Sequence, residues 1–381
     1  MKNPEIRFID DNIDWEERKL GELNNLSIPT IYKNYYLEIG DIKPLSNSYT
    51  LDKTKKIVSG AKLATNGTIL VSTVRPTRGA ICKLKDGNIF VSSALYQFNS
   101  NNEFLNDIIL QQLQTYKFLK YCGDNCEGGT YPTISKENID KFIVKIPKNV
   151  EKISKTLTSI DVKITNQTAI IEKLYNTKSA LLIKMFPQEN QSVPELRFDG
   201  FTDTWEQRKL SDIFEERHIV STISDKYPQL SFTIAEGVIK PEDRKTNKRD
   251  FLIIDKANKK YLITEYDDII YNPANVIFGA IHRNALGKGC VSPIYKIFYT
   301  DFDSKFIECI VRNESFINKI SQNLEGTVTK LKTLKPEAFL NMSSYITTSM
   351  EEQTKIGNLF EKLNNLITLH QRKPFHLNFS L

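Results

Sequence analysis

Two arginines, Arg75 and Arg78, stand in the string TVRPTRGA, directly after an apolar run. A guanidinium meets a phosphate as a charge, or guanine O6 and N7 through two parallel N–H groups. In the second half of the chain, NPANVIFGAIHRNALGKG offers a different set: Asn272, Asn275, His282, Arg283 and Lys288. An Asn amide matches adenine at N6 and N7. Lys53, Lys55 and Lys56 add positive charge, as does the segment 240–260 with Arg244, Lys245, Lys248 and Arg249. Such clusters can follow a phosphate backbone. Glu242, Asp243 and Asp250 dilute the second cluster. For each of these residues an ordinary solvated loop is the other reading.

Covalent chemistry finds no comparable support. A loop that holds an adenine amino group for methylation needs Asn or Asp, two prolines and an aromatic. Asn272-Pro273-Ala274-Asn275 lacks the second proline and the aromatic. No glycine-rich cofactor turn joins a strand to a helix, and no phosphate loop ends in Gly-Lys-Ser/Thr. Four histidines and five cysteines give no metal spacing; Cys122 and Cys126 have no second pair to complete a zinc site. We therefore expect no catalytic residue, no bound cofactor and no metal in this chain.

The elements that would position these residues come twice. PEIRFIDDNIDWEERKLGEL at 4–23 aligns without a gap with PELRFDGFTDTWEQRKLSDI at 194–213, an offset of 190. The chain's two tryptophans, Trp15 and Trp205, are partners in this match. Matched tryptophans in a repeated frame read as core or partner-docking positions rather than as stacking platforms. GTILVS at 67–72 then lies opposite DDIIYN at 267–272, Gly79-Ala80-Ile81 opposite Gly279-Ala280-Ile281, and Val91-Ser92 opposite Val291-Ser292, all at an offset of 200. Gly129-Thr130 pairs with Gly326-Thr327. Between the first match and residue 67 little is shared. One scaffold carrying two different surfaces would look like this, and so would an old duplication that drifted.

Short β-rich runs at 68–74, 80–84, 88–93, 141–147, 268–272 and 290–299, with helices near 103–121 and 303–320, make each half a mixed α/β domain. Each half ends in a helical pattern. Ile153, Leu157, Ile160, Ile164, Ile171 and Leu174 alternate by fours and threes around Gln167. Ile356, Phe360, Leu363 and Ile367 do the same, with His370 at the place of Gln167. This is a coiled-coil seam, and a polar seam residue can fix register. The first pattern would make a helix of about 54 Å. An amphipathic helix packed on its own domain is the alternative.

The balance of charge is mild, at +6, and hints only weakly at nucleic acid. No run of about 18 apolar residues marks a membrane span. The charged opening residues are no secretory signal. Sparse, odd-numbered cysteines suit a reducing cytoplasm.

With these residues in view, the chain resembles the specificity subunits of type I restriction–modification systems. The repeated PELRF and WE-RKL openings carry the resemblance, with GGTYPTISKENIDKFIVKIP at 128–147, KSALLIKMF at 178–186 and EEQTKIGNLFEKLNNLI at 351–367. It spans nearly the whole chain. It implies an α+β protein of two tandem target-recognition domains, each followed by a long helix. The two helices would form an antiparallel coiled coil with pseudo-twofold symmetry. The domains would be 1–148 and 191–348, the separator helix 149–190, and the second helix 349–381. The resemblance implies binding to double-stranded DNA at a bipartite, asymmetric target. Two modification subunits would bind S-adenosylmethionine and methylate adenine. Restriction subunits would use ATP and Mg for translocation and cleavage. Two other classes stay open: a stand-alone DNA methyltransferase, and a non-catalytic coiled-coil scaffold without DNA function. The sequence departs from the family at its end. HQRKPFHLNFSL places Pro374 where the second helix would run on, and proline in a helix interior costs about 3 kcal/mol. The second helix is therefore expected to stop near Lys373 and to leave the outer part of the first, Leu174 to Phe186, without a partner.

Overall fold

In the computed structural model, residues 15–188, 191–244, 259–322, 324 and 333–372 are described. The chain divides between Asn166 and Gln167 into two compact units, and the division falls inside the helix Val150–Lys184.

In the first unit, the central antiparallel sheet has the order Ile81–Lys83, Ile69–Ser72, Leu95–Phe98. Ile69, Leu70 and Val71 are all buried, which gives a strand covered on both faces. Alternate side chains of a strand point to opposite faces. Ile69, Val71, Ile81, Tyr96 and Phe98 accordingly enter one apolar core with Ile109, Phe118 and Val144. Leu70, Cys82 and Leu95 enter another with Leu37, Ile89 and Val91. Each fully buried aliphatic side chain contributes roughly 1.5–3 kcal/mol, so this double burial fixes the strand register.

The second unit repeats the pattern by itself. Tyr271 and Ile269 share a core with Ile281 and Phe298, while Ile270 faces another with Ala280 and Ile297. Strand Ile269–Tyr271 lies between Ile281–Arg283 and Lys296–Tyr299. Leu262 pairs with Val291 as Lys62 pairs with Val91. The repeated openings also pair alike: Glu16–Lys19 with Ile143–Ile146, and Glu206–Lys209 with Ser343–Ile346. The weakly matched stretch holds a hairpin in each unit, Ile42–Lys43 with Ser48–Tyr49 and Ser231–Thr233 with Gly237–Ile239. The change of offset from 190 to 200 therefore falls after these hairpins, in the basic segment 240–260. Gly326-Thr327 lies outside the described residues.

Several expected elements are divided. The run 290–299 is two strands, Gly289–Val291 and Lys296–Tyr299. The helix expected over 103–121 is Glu103–Leu113 followed by Tyr116–Asp124. Thr115 starts the second piece, its side chain accepting from Phe118 N. The helix expected over 303–320 divides likewise into Ser304–Val311 and Glu314–Gln322.

The first long helix is Val150–Lys184 and the second Met350–Arg372. In the first unit Ile153 is buried, and Ser154 donates to Asp107 Oδ2 at 3.0 Å. Leu157 and Ile160 are half-buried and Ile164 is exposed. In the second unit Ile356, Phe360, Leu363 and Ile367 are all buried, the first three within the apolar core of that unit. Gln167 Nε2 donates to His370 O at 2.6 Å, while Phe186 meets Phe360 with ring centroids 6.0 Å apart. The two helices thus run in opposite senses where they touch. This corrects the expectation for Leu174 to Phe186. Leu174 and Leu181 pack on the core of the second unit, and Met185 and Phe186 lie inside it with Trp205 and Phe306. The segment runs from Tyr175, whose hydroxyl accepts from Gln371 near the end of the second helix at 3.1 Å, to Phe186 against Phe360 at its middle. Residues 373–381, with the stop expected near Lys373, lie outside the described residues.

Two family-like motifs meet physically. Arg197, of the repeated opening, donates from Nε and Nη2 to the two carboxylate oxygens of Glu352 at 2.8 Å each. Glu352 belongs to EEQTK and its side chain is fully buried. Among the described residues no helix is long and apolar enough to cross a membrane.

Candidate nucleic-acid interface

In the first unit the strand Ile69–Ser72 runs into a turn closed by Ser72 N donating to Ala80 O at 3.0 Å. Inside it Pro76–Arg78 forms one turn of 3-10 helix, with Pro76 buried and Gly79 ending it at φ +71. A side chain at Gly79 would collide with Leu45, 2.7 Å from the Cβ position, so glycine is required for packing as well as for φ. Arg75 itself is left-handed at φ +47. Such a backbone costs an ordinary residue roughly 1–2 kcal/mol. Its N–H donates to Pro132 O at 2.7 Å, which ties the turn to the loop 127–133. The Arg75 guanidinium lies over the Tyr131 ring, 4.3 Å from the centroid. Tyr131 is 64% exposed, and Arg78 is exposed too. The turn thus presents two guanidinium groups and a phenol on a pinned backbone.

The second unit builds a similar turn from other residues, with Asn275 at φ −119 where Arg75 is left-handed. Asn272 N donates to Ala280 O at 2.9 Å, Phe278 N to Asn275 O at 3.0 Å and Gly279 N to Val276 O at 2.9 Å. The first unit has Arg78 N to Arg75 O at 3.0 Å and Gly79 N to Pro76 O at 2.9 Å in the same places. Leu334 N to Pro273 O repeats Ile134 N to Thr73 O. Asn272 Oδ1 accepts from Ala274 N, so its amide donors point elsewhere. Asn272 and Asn275 are half-buried.

The remaining candidates are scattered. Lys55 sits between Glu38 and Asp41, 2.6 Å from each, and these partners raise its pKa. Lys53 lies 5.7 Å from the Tyr35 ring centroid, and Lys56 is exposed. Lys288 pairs with Glu265 at 2.6 Å. Arg244 is half-buried beside the turn Pro241–Asp243. Lys245, Lys248 and Arg249 lie outside the described residues. Trp205 is buried in the apolar core of its unit, and Trp15 is half-buried.

Burial removes His282 and Arg283 from the candidate surface. Their strand lies against the hairpin and helices of the second unit. Arg283 donates to Asp267 at 2.7 Å and to Glu361 of the second long helix at 2.8 Å, with Glu308 beside it. Its charge is used inside the unit. His282 Nε2 lies 2.8 Å from Ile234 O. Burial, then the charge of Arg312, pushes the His282 pKa down to about 4, against the weaker opposing pull of Glu308. Lys178 also lowers it. The unfolded chain takes up that proton near pH 6.5. Stability from the neutral ring is therefore complete above pH 6.5 and is lost as pH falls toward 4, about 2 kcal/mol by pH 5. Urea unfolding at pH 7.5 and pH 5 should show this loss in the parent and a smaller one in His282→Gln; equal losses would refute it.

Sequence reasoning passes over Tyr131 and Phe278. Tyr131 was visible only as part of GGTYPT, and its place over Arg75 depends on loop 127–133 folding back across the turn. Phe278 stands beside Gly279 in the second turn and is 66% exposed.

A family model described as "Type I restriction modification DNA specificity domain" matches residues 12–176. No curated protein matches the chain. Among solved structures, the type I restriction-modification system S subunit from M. genitalium is 14% identical, over 96% of this chain and 93% of that one, with a TM-score of 0.57. That likeness bears on the fold. The HsdS subunit from Thermoanaerobacter tengcongensis is also 14% identical, over 98% of this chain and 94% of that one, with a TM-score of 0.38. Residues 12–176 are thus similar to a type I restriction–modification DNA specificity domain, and the same strand ladders recur in the second unit.

Proposed function

We propose that the chain reads a bipartite, asymmetric DNA target and directs two modification subunits to methylate adenine within it. The observation that carries this is the pair of turns 72–80 and 272–280. Three of their backbone hydrogen bonds coincide, and their exposed side chains differ. A frame held constant under changing side chains is what two readers of different base sequences need. In the first unit, Arg75 and Arg78 would meet guanine or phosphate, with Tyr131 holding one guanidinium in place. In the second, Asn272 and Asn275 would meet adenine. Lys53, Lys56, Lys288 and the basic segment 240–260 would contact phosphates, which position the duplex without reading it.

In this reading the units are tandem target-recognition domains, and the long helices form an antiparallel coiled coil. Gln167 and His370 hold matching places in the two seams and touch one another, which supports that pairing. The chain itself would be non-catalytic. S-adenosylmethionine would sit on the modification subunits; ATP and Mg would serve the restriction subunits, which translocate and cleave.

The test is single-molecule sequencing of adenine methylation in cells expressing this chain with its modification subunit, against cells expressing the modification subunit alone. A split, asymmetric methylated motif that depends on this chain is expected. Soluble expression of both proteins with no new motif would overturn the reading.

A further inference from the structure

We infer that Phe278 contacts the methyl group of a thymine in the half-site read by the second unit, at the place where the first unit offers Arg78. This rests on the reading of the chain as a DNA specificity subunit and adds the base chemistry of one half-site.

Position comes first. Phe278 and Arg78 occupy the third residue of the same one-turn 3-10 helix, held by the matching hydrogen bonds to Asn275 O and Arg75 O. Both are exposed, while the residues two places earlier, Val276 and Pro76, are buried. The second unit has apolar cores available and packs Val276 and Ile277 against one of them. Phe278 is the residue of this turn that it leaves out.

Chemistry comes second. A phenyl ring has no donor or acceptor, so it cannot replace arginine at a phosphate or at guanine. At DNA it can cover the thymine C5-methyl in the major groove, or wedge between base steps from the minor groove. Its neighbours favour the first. Asn272 and Asn275 carry amides that pair with adenine N6 and N7, and those atoms face the major groove. Amide and ring together suit A·T pairs. The guanidinium groups of the first unit suit G·C pairs. The asymmetry of the target would follow from this one turn in each unit.

The experiment uses the complex of this chain with its modification subunits and a duplex bearing the methylated motif. The second unit's half-site is the one that an Arg78→Ala variant leaves unaltered. Each thymine there is replaced in turn by deoxyuridine, which lacks the methyl group, and the Kd is measured. At one position the parent complex should bind about fourfold more weakly, the worth of one buried methyl group. The Phe278→Ala complex should not distinguish the two duplexes. Because the parent protein gives the first result, the contact is tested even if the variant folds poorly. A half-site without A·T pairs overturns the inference. So does indifference of the parent to every uracil, a uracil penalty that survives in Phe278→Ala, or a duplex kinked in a Phe278-dependent way. Absence of any methylated motif would instead sink the specificity reading, and the thymine contact with it.

Discussion

Alanine at Arg78 is expected to weaken binding of the target duplex roughly tenfold to a hundredfold and to relax one position of one half-site. A bidentate arginine–guanine pair supplies about 1–3 kcal/mol of discrimination. Arg78 is exposed on a turn pinned by Gly79, by Leu45 and by the loop 127–133, so its removal should leave the fold intact. Affinity measured at several salt concentrations separates two modes of contact. Loss of a base contact widens the methylated motif. Loss of a phosphate contact weakens all duplexes alike and reduces the salt slope by about one. An unchanged motif together with unchanged affinity would remove Arg78 from the interface. Arg75→Gly is the companion variant. Glycine accepts the left-handed backbone without strain, so binding should fall while thermal stability stays nearly constant.

Alanine at Arg197 should destabilise the second unit by about 3–5 kcal/mol, because it strands a buried carboxylate. Glu352 is fully buried and receives both of its oxygen contacts from Arg197, whose Nη1 also donates to Asp203 O at 2.6 Å. A loss of that size is a third or more of the stability of many domains. Urea unfolding would measure it. The double variant Arg197→Ala/Glu352→Leu should recover most of the loss, since the stranded charge is then gone. A single-variant effect below about 1 kcal/mol would mean that the pair does not hold the opening segment to the second long helix.

Much of this architecture was legible. The matched openings and the matched Gly79 and Gly279 gave the frame, since a left-handed glycine at the end of a turn leaves a mark in sequence. The buried strands showed themselves as β-branched runs. What stayed hidden depended on partners distant in sequence. Arg283 looks like a loop cation until Glu308 and Glu361 are brought beside it. The outward place of Phe278 depends on the turn that holds it. The fate of Leu174 to Phe186 turned on core partners distant in sequence, Trp205, Phe306 and Phe360.

The closure of the turns has a consequence for heredity. Ser72 to Ala80 and Asn272 to Ala280 are of equal length, and the same hydrogen bond seals each. Within them, the glycine and the buried residue at Pro76 or Val276 answer to folding. The outward residues, Arg78 and Phe278 among them, do not. A point mutation at such a place is nearly free in stability, so on the proposed reading selection would see it only through the DNA it chooses. On that reading a lineage carrying this frame would change its target one letter at a time without passing through an unfolded ancestor.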